Sequence, residues 1–369
     1  MKILHMADCH LDTPFRSLPP KAAALRRQAL RDGFRRALER GTREGVDAVL
    51  IAGDLFDNRY SAPSTVQMLA DFAAAHPEIH IFVSPGNHDY LFGDSPYAGL
   101  PVLENLTVFD AGEIQRVDLP GLGASVYGCG CRTAHSERSP LAGFRVEDGD
   151  RLNLLCVHGL VQGYGGHDSY NPISLLEIAQ SGLDYIALGH VHSYSGVRRE
   201  GRTYFAYPGC LVGRGFDETG EKGCLMGRLE KGAPPTLLFC RDESPTFEAV
   251  AADVTGAQSL TDVIDTAREQ TQALPDESLV KLTLKGRVRP DLVINQALVA
   301  AGLSRFQFVK VADETRPELD AERLASEQTL TGLFVSAVLH SGADPAVVDG
   351  ALRAGLAAIG GEELKFDED

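Results

Sequence analysis

Lys2-Ile3-Leu4-His5-Met6-Ala7-Asp8-Cys9-His10 is apolar for most of its length and then closes on an acid and an imidazole two residues apart. Such a run reads as a buried strand, and alternate residues of a strand share a face, so Asp8 and His10 project together from its end. From Lys21 to Glu44, Ala24, Leu25, Ala29, Phe34 and Leu38 recur at helical spacing. Val46 to Ala52 reads as a second buried strand, followed by a helix near 61–75. Ile79 to Ser84 reads as a third strand, stopped by Pro85-Gly86. Strand–helix–strand–helix–strand requires crossover connections, and therefore a parallel sheet at the front of the domain.

Beyond residue 105 the texture changes to short strands separated by glycine turns. They are expected near 114–118, 124–130, 153–157, 184–189, 195–199, 203–207, 223–229 and 236–240, with one helix at Ile173–Ser181. The pattern predicts an α/β sandwich with helices on its outer faces. Glu243, Ser244 and Pro245 mark a boundary, after which the alternation differs: strand 247–254, helix 259–273, strand 279–288, helix 291–301, strand 305–312. Residues 328–360 read as two Ala/Leu-rich helices, and Glu362–Asp369 as an acidic tail. The expected domains are therefore 1–245, a small α+β cap over 246–327, and terminal helices with the tail over 328–369, a candidate partner-docking element.

Length and composition bound the function. The chain has 369 residues, 44% hydrophobic and 23% charged with no Trp, which suits two or three globular domains and excludes disorder, collagen and a small disulfide scaffold. No apolar run approaches the ~20 residues of a membrane span. Polar residues arrive at once after Met1, which argues against a signal peptide, and a cytoplasmic protein is expected. Seven cysteines, an odd number without a C-x-x-C pair, argue against a zinc ribbon or a secreted framework and read as buried, reduced thiols, with Cys129 and Cys131 alternating in a strand. The net charge is −16, and residues 241–369 carry 12 basic and 23 acidic residues, leaving only −5 on residues 1–240. An acidic chain binds nucleic acid poorly without local Lys and Arg, which weighs against a DNA substrate.

Five short motifs hold the chemistry: Asp8-Cys9-His10, Gly53-Asp54-Leu55-Phe56-Asp57, Gly86-Asn87-His88-Asp89, His158-Gly159 and Gly189-His190-Val191-His192. Each follows an apolar strand, and ligands of open α/β sheets sit at the carboxyl edge of the strands. Taken singly each has a bland reading, a helix-capping Asp or a surface imidazole; their joint occurrence at five strand ends does not. Two carboxylates, one amide oxygen and four imidazoles form a mixed N/O set that suits manganese, iron or zinc and lacks the thiolates of a structural zinc site. Seven ligands exceed the needs of one ion and match two ions ~3.5–4 Å apart that share a bridging carboxylate.

In this order the motifs resemble the signature of the calcineurin-like metallophosphoesterase superfamily over residues 8–192. The segment from His5 to Phe15 is similar to the opening of SbcD-like DNA repair exonucleases, particularly the YhaO branch, as are Gly166–Pro172, Tyr207-Pro208-Gly209 and Glu218–Gly223. The resemblance implies a four-layer α/β/β/α sandwich with a small C-terminal α+β cap and terminal helices. It implies one ion on Asp8, His10, Asp54 and His192 and a second on Asp54, Asn87, His158 and His190, manganese first among the metals. It gives His88 a place over the scissile phosphate as a catalytic residue rather than a ligand, with Asp89 holding its ring. Asp57, where some relatives carry a histidine, becomes a partner for a ligand histidine.

The resemblance further implies DNA as substrate, a homodimer, and a coiled-coil ABC-type ATPase of the SbcC/YhaN type as partner, since this chain has no G-x-x-x-x-G-K-[ST]. Arg198, Arg199, Arg202 and Arg214 form the best basic patch for a phosphate backbone, whereas Arg26-Arg27 and Arg35-Arg36 read as a solvated helix face. His167 and Tyr170 sit in a loop after His158 as substrate contacts or plain loop residues. His5 reads as structural, and His76, His80, His135 and His340 as surface or turn residues. The alternatives to a nuclease are a phosphodiesterase or phosphatase acting on small nucleotides or phosphoproteins, and a non-catalytic scaffold, which the complete ligand set disfavours.

Overall fold

The computed structural model describes residues 1–57, 61–93, 95–164, 170–318 and 321–361. His167 and its neighbours 165–169, and the tail Glu362–Asp369, lie outside the described residues. The chain divides into two units: Met1–Val250 with Thr271–Leu282 and Leu303–Lys310, and Ala251–Gln270 with Thr283–Gly302 and Val311–Asp369.

In the first unit, β1 (Lys2–Met6), β2 (Ala48–Ile51), β3 (His80–Val83) and β4 (Leu106–Val108) run parallel, joined by α1 (Pro20–Glu44) and α2 (Pro63–Ala75). A second sheet has a parallel centre of β6 (Ala124–Gly128), β7 (Leu152–His158), β10 (Tyr185–Gly189) and β12 (Thr203–Ala206). Antiparallel edges are added by β5 (Gln115–Leu119) and β11 (Arg198–Glu200). Between β7 and β10 come the two-residue strands β8 (Leu160–Val161) and β9 (Pro172–Ile173) and the helix α3 (Leu175–Gln180), capped by a reciprocal Ser174–Glu177 box. The chain then returns to the first sheet through β13 (Gly223–Arg228) and β14 (Thr236–Arg241), giving orders β14-β13-β1-β2-β3-β4 and β11-β12-β10-β7-β6-β5.

Side-chain alternation builds the layers. Leu4, Met6, Val49, Ile51, Ile81 and Val83 pack beneath Phe34, Leu38, Leu69 and Ala73 of the two long helices. The intervening residues Ile3, Ala7, Ala48, Leu50 and Phe82 meet Val126, Leu154, Cys156 and Ala187 of the second sheet. That sheet's far face, Tyr127, Leu155, Val157 and Ile186, packs on Ile178 of α3. The result is the four-layer α/β/β/α sandwich. His5 faces inward with both ring nitrogens occupied, by Tyr185 Oη at 2.9 Å and the Leu188 carbonyl at 3.1 Å, a structural role.

Three readings are corrected. Arg26 is not on a solvated face: it is 1% exposed, bonded to the Gly213 and Pro245 carbonyls and stacked on Phe247, because α1 turns that side toward the chain's return. β6 ends at Gly128, so Cys129 and Cys131 lie beyond the strand. The strand expected at 279–288 breaks at Gly286, whose φ of 105° is a glycine conformation.

The second part of the chain contains β15 (Phe247–Asp253), α4 (Leu260–Thr271), β16 (Leu279–Lys285), β17 (Arg287–Val288), α5 (Gln296–Gly302), β18 (Phe308–Asp313) and β19 (Arg316–Pro317). These form a sheet of order β15-β16-β18 and a β17–β19 ladder. The terminal helices are α6 (Ala321–Ala325), α7 (Leu330–Leu339) and α8 (Pro345–Gly360), the first of which the sequence pattern did not suggest. Arg287 makes two hydrogen bonds to Asp349 of α8, at 2.8 and 2.9 Å. Among the described residues no helix is long and apolar enough to cross a membrane.

Candidate metal centre

All five motifs converge where the central strands of both sheets end. The loops after β1 and β2 are zipped together beyond the strands themselves, Asp8 N to Gly53 O at 3.0 Å and His10 N to Asp54 O at 2.9 Å. His158 is the last residue of β7 rather than a loop residue, in register with Gly189 of β10. Two glycines permit this closeness: a Cβ at Gly53 would fall on the His158 ring, and one at Gly86 on the Asp54 carboxylate. Asp8, His10, Asp54 and His190 themselves have φ of 50, 44, 50 and 109°, left-handed backbone that costs about 1–3 kcal/mol each outside glycine. Strain concentrated on four candidate ligands marks a place held open by its surroundings.

Asp54 is central. Its Oδ2 lies 3.5 Å from His10 Nε2 and 3.5 Å from His158 Nε2, while Oδ1 accepts the His88 amide at 2.8 Å. Burial would raise its pKa, yet the His158, His10 and His88 imidazoles hold it down to about 2. On one side of Asp54, Asp8, His10 and His192 bring one donor atom each within 4.8 Å of one another; on the other, Asp8, Asp54 and His158 do the same. Asn87 and His190 join the second side, with Asn87 Oδ1 at 2.9 Å and His190 Nδ1 at 3.3 Å from His158 Nε2.

The chemistry of this donor set fits cations. His158 Nδ1 meets the Ala52 carbonyl at 2.9 Å and donates to it, so in the neutral ring the Nε2 lone pair would face Asn87 Oδ1 and Asp54 Oδ2, and either a proton or a cation must sit among them. His10 is fully buried with neither ring nitrogen hydrogen-bonded. Buried polar atoms without partners are rare, and converging lone pairs repel unless a positive charge sits among them.

Around these donors stands a supporting layer. His88 is half-exposed, and its Nδ1 lies 3.0 Å from Asp57 Oδ1. The orienting contact expected of Asp89 therefore belongs to Asp57, which also accepts from Thr13 at 2.7 Å and lies 3.8 Å from His10 Nδ1. Asp57 is held below the usual carboxylate range by the His10 and His88 imidazoles, against its burial, and its hydrogen bond raises the His88 pKa. Asp89 instead turns inward and takes the amides of Gly86, Leu55 and Phe56 and the Tyr97 hydroxyl, tying two motif loops together.

Two residues were missed or misplaced by sequence reasoning. Glu218 Oε1 accepts from His192 Nδ1 at 2.7 Å and from the Arg214 guanidinium at 3.0 Å, while Oε2 accepts the Arg214 amide at 2.7 Å. Arg214 thus points inward beside His192 instead of joining Arg198, Arg199 and Arg202 on the surface, because Glu218 claims it. The only hint was that Glu218 opens the segment 218–223, to which no role attached. Tyr170 is buried and stacks on His190 at a 5.2 Å centroid distance.

A family model and one relative of known sequence point the same way. The family model described as calcineurin-like phosphoesterase matches residues 1–194. A protein of Bacillus subtilis (strain 168), named uncharacterized metallophosphoesterase YhaO, is 30% identical over 298 residues, covering 78% of this chain and 72% of its own length. The crystal structure of TT1561 of Thermus thermophilus aligns over 61% of this chain and 92% of its own at 13% identity, with a TM-score of 0.40.

Proposed function

We propose that this chain, which belongs to the calcineurin-like phosphoesterase family, hydrolyses phosphodiesters in DNA as the nuclease subunit of a cytoplasmic repair complex with a coiled-coil ABC-type ATPase. The hydrolase part of the reading is carried by one observation, the single Asp54 oxygen 3.5 Å from both His10 and His158. Asp8, His10, Asp54 and His192 would hold one divalent cation and Asp54, Asn87, His158 and His190 another, with Asp54 shared. Manganese is our choice, iron and zinc suiting the same donors. Bound there, such a pair supplies an acidified water and neutralises charge on the phosphoryl oxygens.

The remaining work falls to side chains. Glu218 and the Ala52 carbonyl fix the tautomers of His192 and His158, so that each presents Nε2 inward. His88, braced by Asp57 through Nδ1, holds a proton at Nε2 for the leaving oxygen, a role worth about 10²–10⁴-fold. Asp89 keeps the Asp54 and Asn87 loops in register.

The DNA part of the reading is supported by the SbcD-like segments of the sequence and by Arg198 and Arg199, exposed on the edge strand β11. Exposed Leu330, Leu333 and Val347 on α7 and α8 suit docking of the ATPase, whose basic surface would offset the acidic cap, and we place a homodimer in the same assembly. The net charge of −16 favours a second reading, a small nucleotide or phosphoprotein substrate. The two separate in one assay: purified protein with manganese is given linear duplex DNA, single-stranded DNA and bis-p-nitrophenyl phosphate. Shortening of DNA supports the nuclease. Turnover of the small ester alone, with the ATPase also present, overturns it.

A further inference from the structure

The metal centre uses none of the seven cysteines, and two of them are placed unlike the rest. Cys224 of β13 and Cys240 of β14 are direct cross-strand partners. Paired residues of an antiparallel ladder point to the same face with Cβ atoms ~4.5–5.5 Å apart, close to the ~3.5–4.5 Å of a disulfide. β14 is the outermost strand of its sheet, so the small approach still needed meets no neighbouring strand on its far side. Both residues border a cavity of about 200 Å³ that opens beside α1, Cys224 being 3% and Cys240 8% exposed.

Charge distinguishes this cavity. Arg36, Arg40, Arg43 and Arg241 line it against Glu39, Asp242 and Glu243. Arg36 is tied to Asp242 at 2.9 Å and Arg241 faces Glu221 at 3.4 Å. Arg40 lends a positive field to the Cys240 sulfur. The neighbouring Cys224 thiol, and after it Arg40, hold the Cys240 thiol below its usual range, although Cys240 is only 8% exposed. Burial pushes Cys9, Cys129, Cys131, Cys156 and Cys210 upward, Cys129 and Cys131 to about 12, and Cys224 is raised first by its contact with Cys240 and then by burial. Only the thiolate is a nucleophile, so reactivity gathers on one sulfur with a second thiol opposite it.

We propose that Cys240 and Cys224 form a thiol–disulfide exchange site for small anionic disulfides, Cys240 attacking and Cys224 resolving. The Cys240 thiolate attacks one sulfur of the disulfide RSSR, forming a mixed disulfide and releasing RS⁻. Cys224, giving up its proton, then attacks the Cys240 sulfur and expels the second RS⁻. The balance is two protein thiols oxidised to one disulfide and one RSSR reduced to two RSH. The arginines suit an anionic R group and stabilise the departing thiolate. The site stands apart from the candidate ligands and does not depend on the reading of the metal centre.

The experiment uses the full reduced chain, glutathione disulfide as the probe and peptide mass spectrometry. The wild type is expected to lose two hydrogens in a link between the peptides of Cys224 and Cys240. Cys224→Ser is expected to stop with one glutathionyl group on Cys240, and Cys240→Ser to give neither product. On the unmodified wild type, iodoacetamide is expected to label Cys240 about ten-fold faster than Cys156 at neutral pH. This measurement requires no variant to fold. Labelling of Cys240 no faster than Cys156, or glutathionylation scattered over the cysteines without the 224–240 link, overturns the proposal.

Discussion

Replacing Glu218 by Gln removes a charge from the layer behind His192 while keeping the shape of the side chain. The carboxylate is only 9% exposed, so solvent screens little of what it contributes. It accepts from His192 Nδ1 at 2.7 Å and from Arg214 at 3.0 and 2.7 Å. Hydrogen bonds to charged groups contribute about 1.5–3 kcal/mol each, and the amide nitrogen of Gln would confront one donor instead of accepting it. If the His192 contact alone is lost, about 1.4–2.7 kcal/mol corresponds to a 10–100-fold weaker hold on a cation, the range found for carboxylates behind ligand histidines. The assay is a manganese titration of hydrolysis and of bound metal. The midpoint should rise 10–100-fold, while turnover at saturating metal stays within a few-fold of wild type. The ¹⁵N signal of the His192 Nδ1–H should shift as its partner loses charge. The difference has a pH signature. Burial presses Glu218 upward, but His192 and Arg214 hold it below the usual carboxylate range. Its stabilisation is therefore complete above about pH 4.3 and fades as acid titrates it, so wild type and variant should converge in stability at low pH. An unchanged metal midpoint with an unchanged His192 signal would refute the reasoning.

Other outcomes follow from the same geometry. If His88 meets the substrate as proposed and does not hold a cation with its neighbours His10 and Asp57, His88→Asn should lower kcat by about 10²–10⁴-fold with bound metal unchanged; loss of metal would contradict this. Asp57→Asn removes the bond that raises the His88 pKa, so the alkaline limb of the rate profile should move to lower pH; an unmoved limb separates Asp57 from His88. Asp89→Asn sets an NH₂ against amide and hydroxyl donors, and urea unfolding should show a loss of about 2–4 kcal/mol; a stability within error of wild type would deny Asp89 its structural task.

The strands and the five motif positions were legible because both announce themselves locally, by apolar runs and by polar residues directly after them. What stayed hidden depended on distance. Asp89 adjoins His88 in the chain and was credited with its ring, but the tight turn sends Asp89 inward and leaves Asp57, 31 residues earlier, beside His88. Glu218 supports a histidine 26 residues before it, across a segment with no periodicity to follow. Arg26 looks solvated on a helical wheel, and is buried because the chain between Gly213 and Phe247 returns over α1. No local pattern reports such returns.

Asp8 accepts the amide of His190 across 182 residues of chain. Contacts of that span must wait for the intervening polypeptide to be ordered, because closing so large a loop is entropically opposed until both sheets have docked. The candidate metal centre therefore closes only once both sheets are in place. A nascent chain that has made only β1 to β4 carries Asp8, His10, Asp54 and Asn87 but none of the histidines that end β7 or follow β10, and its first sheet is itself completed only when β13 and β14 return to it.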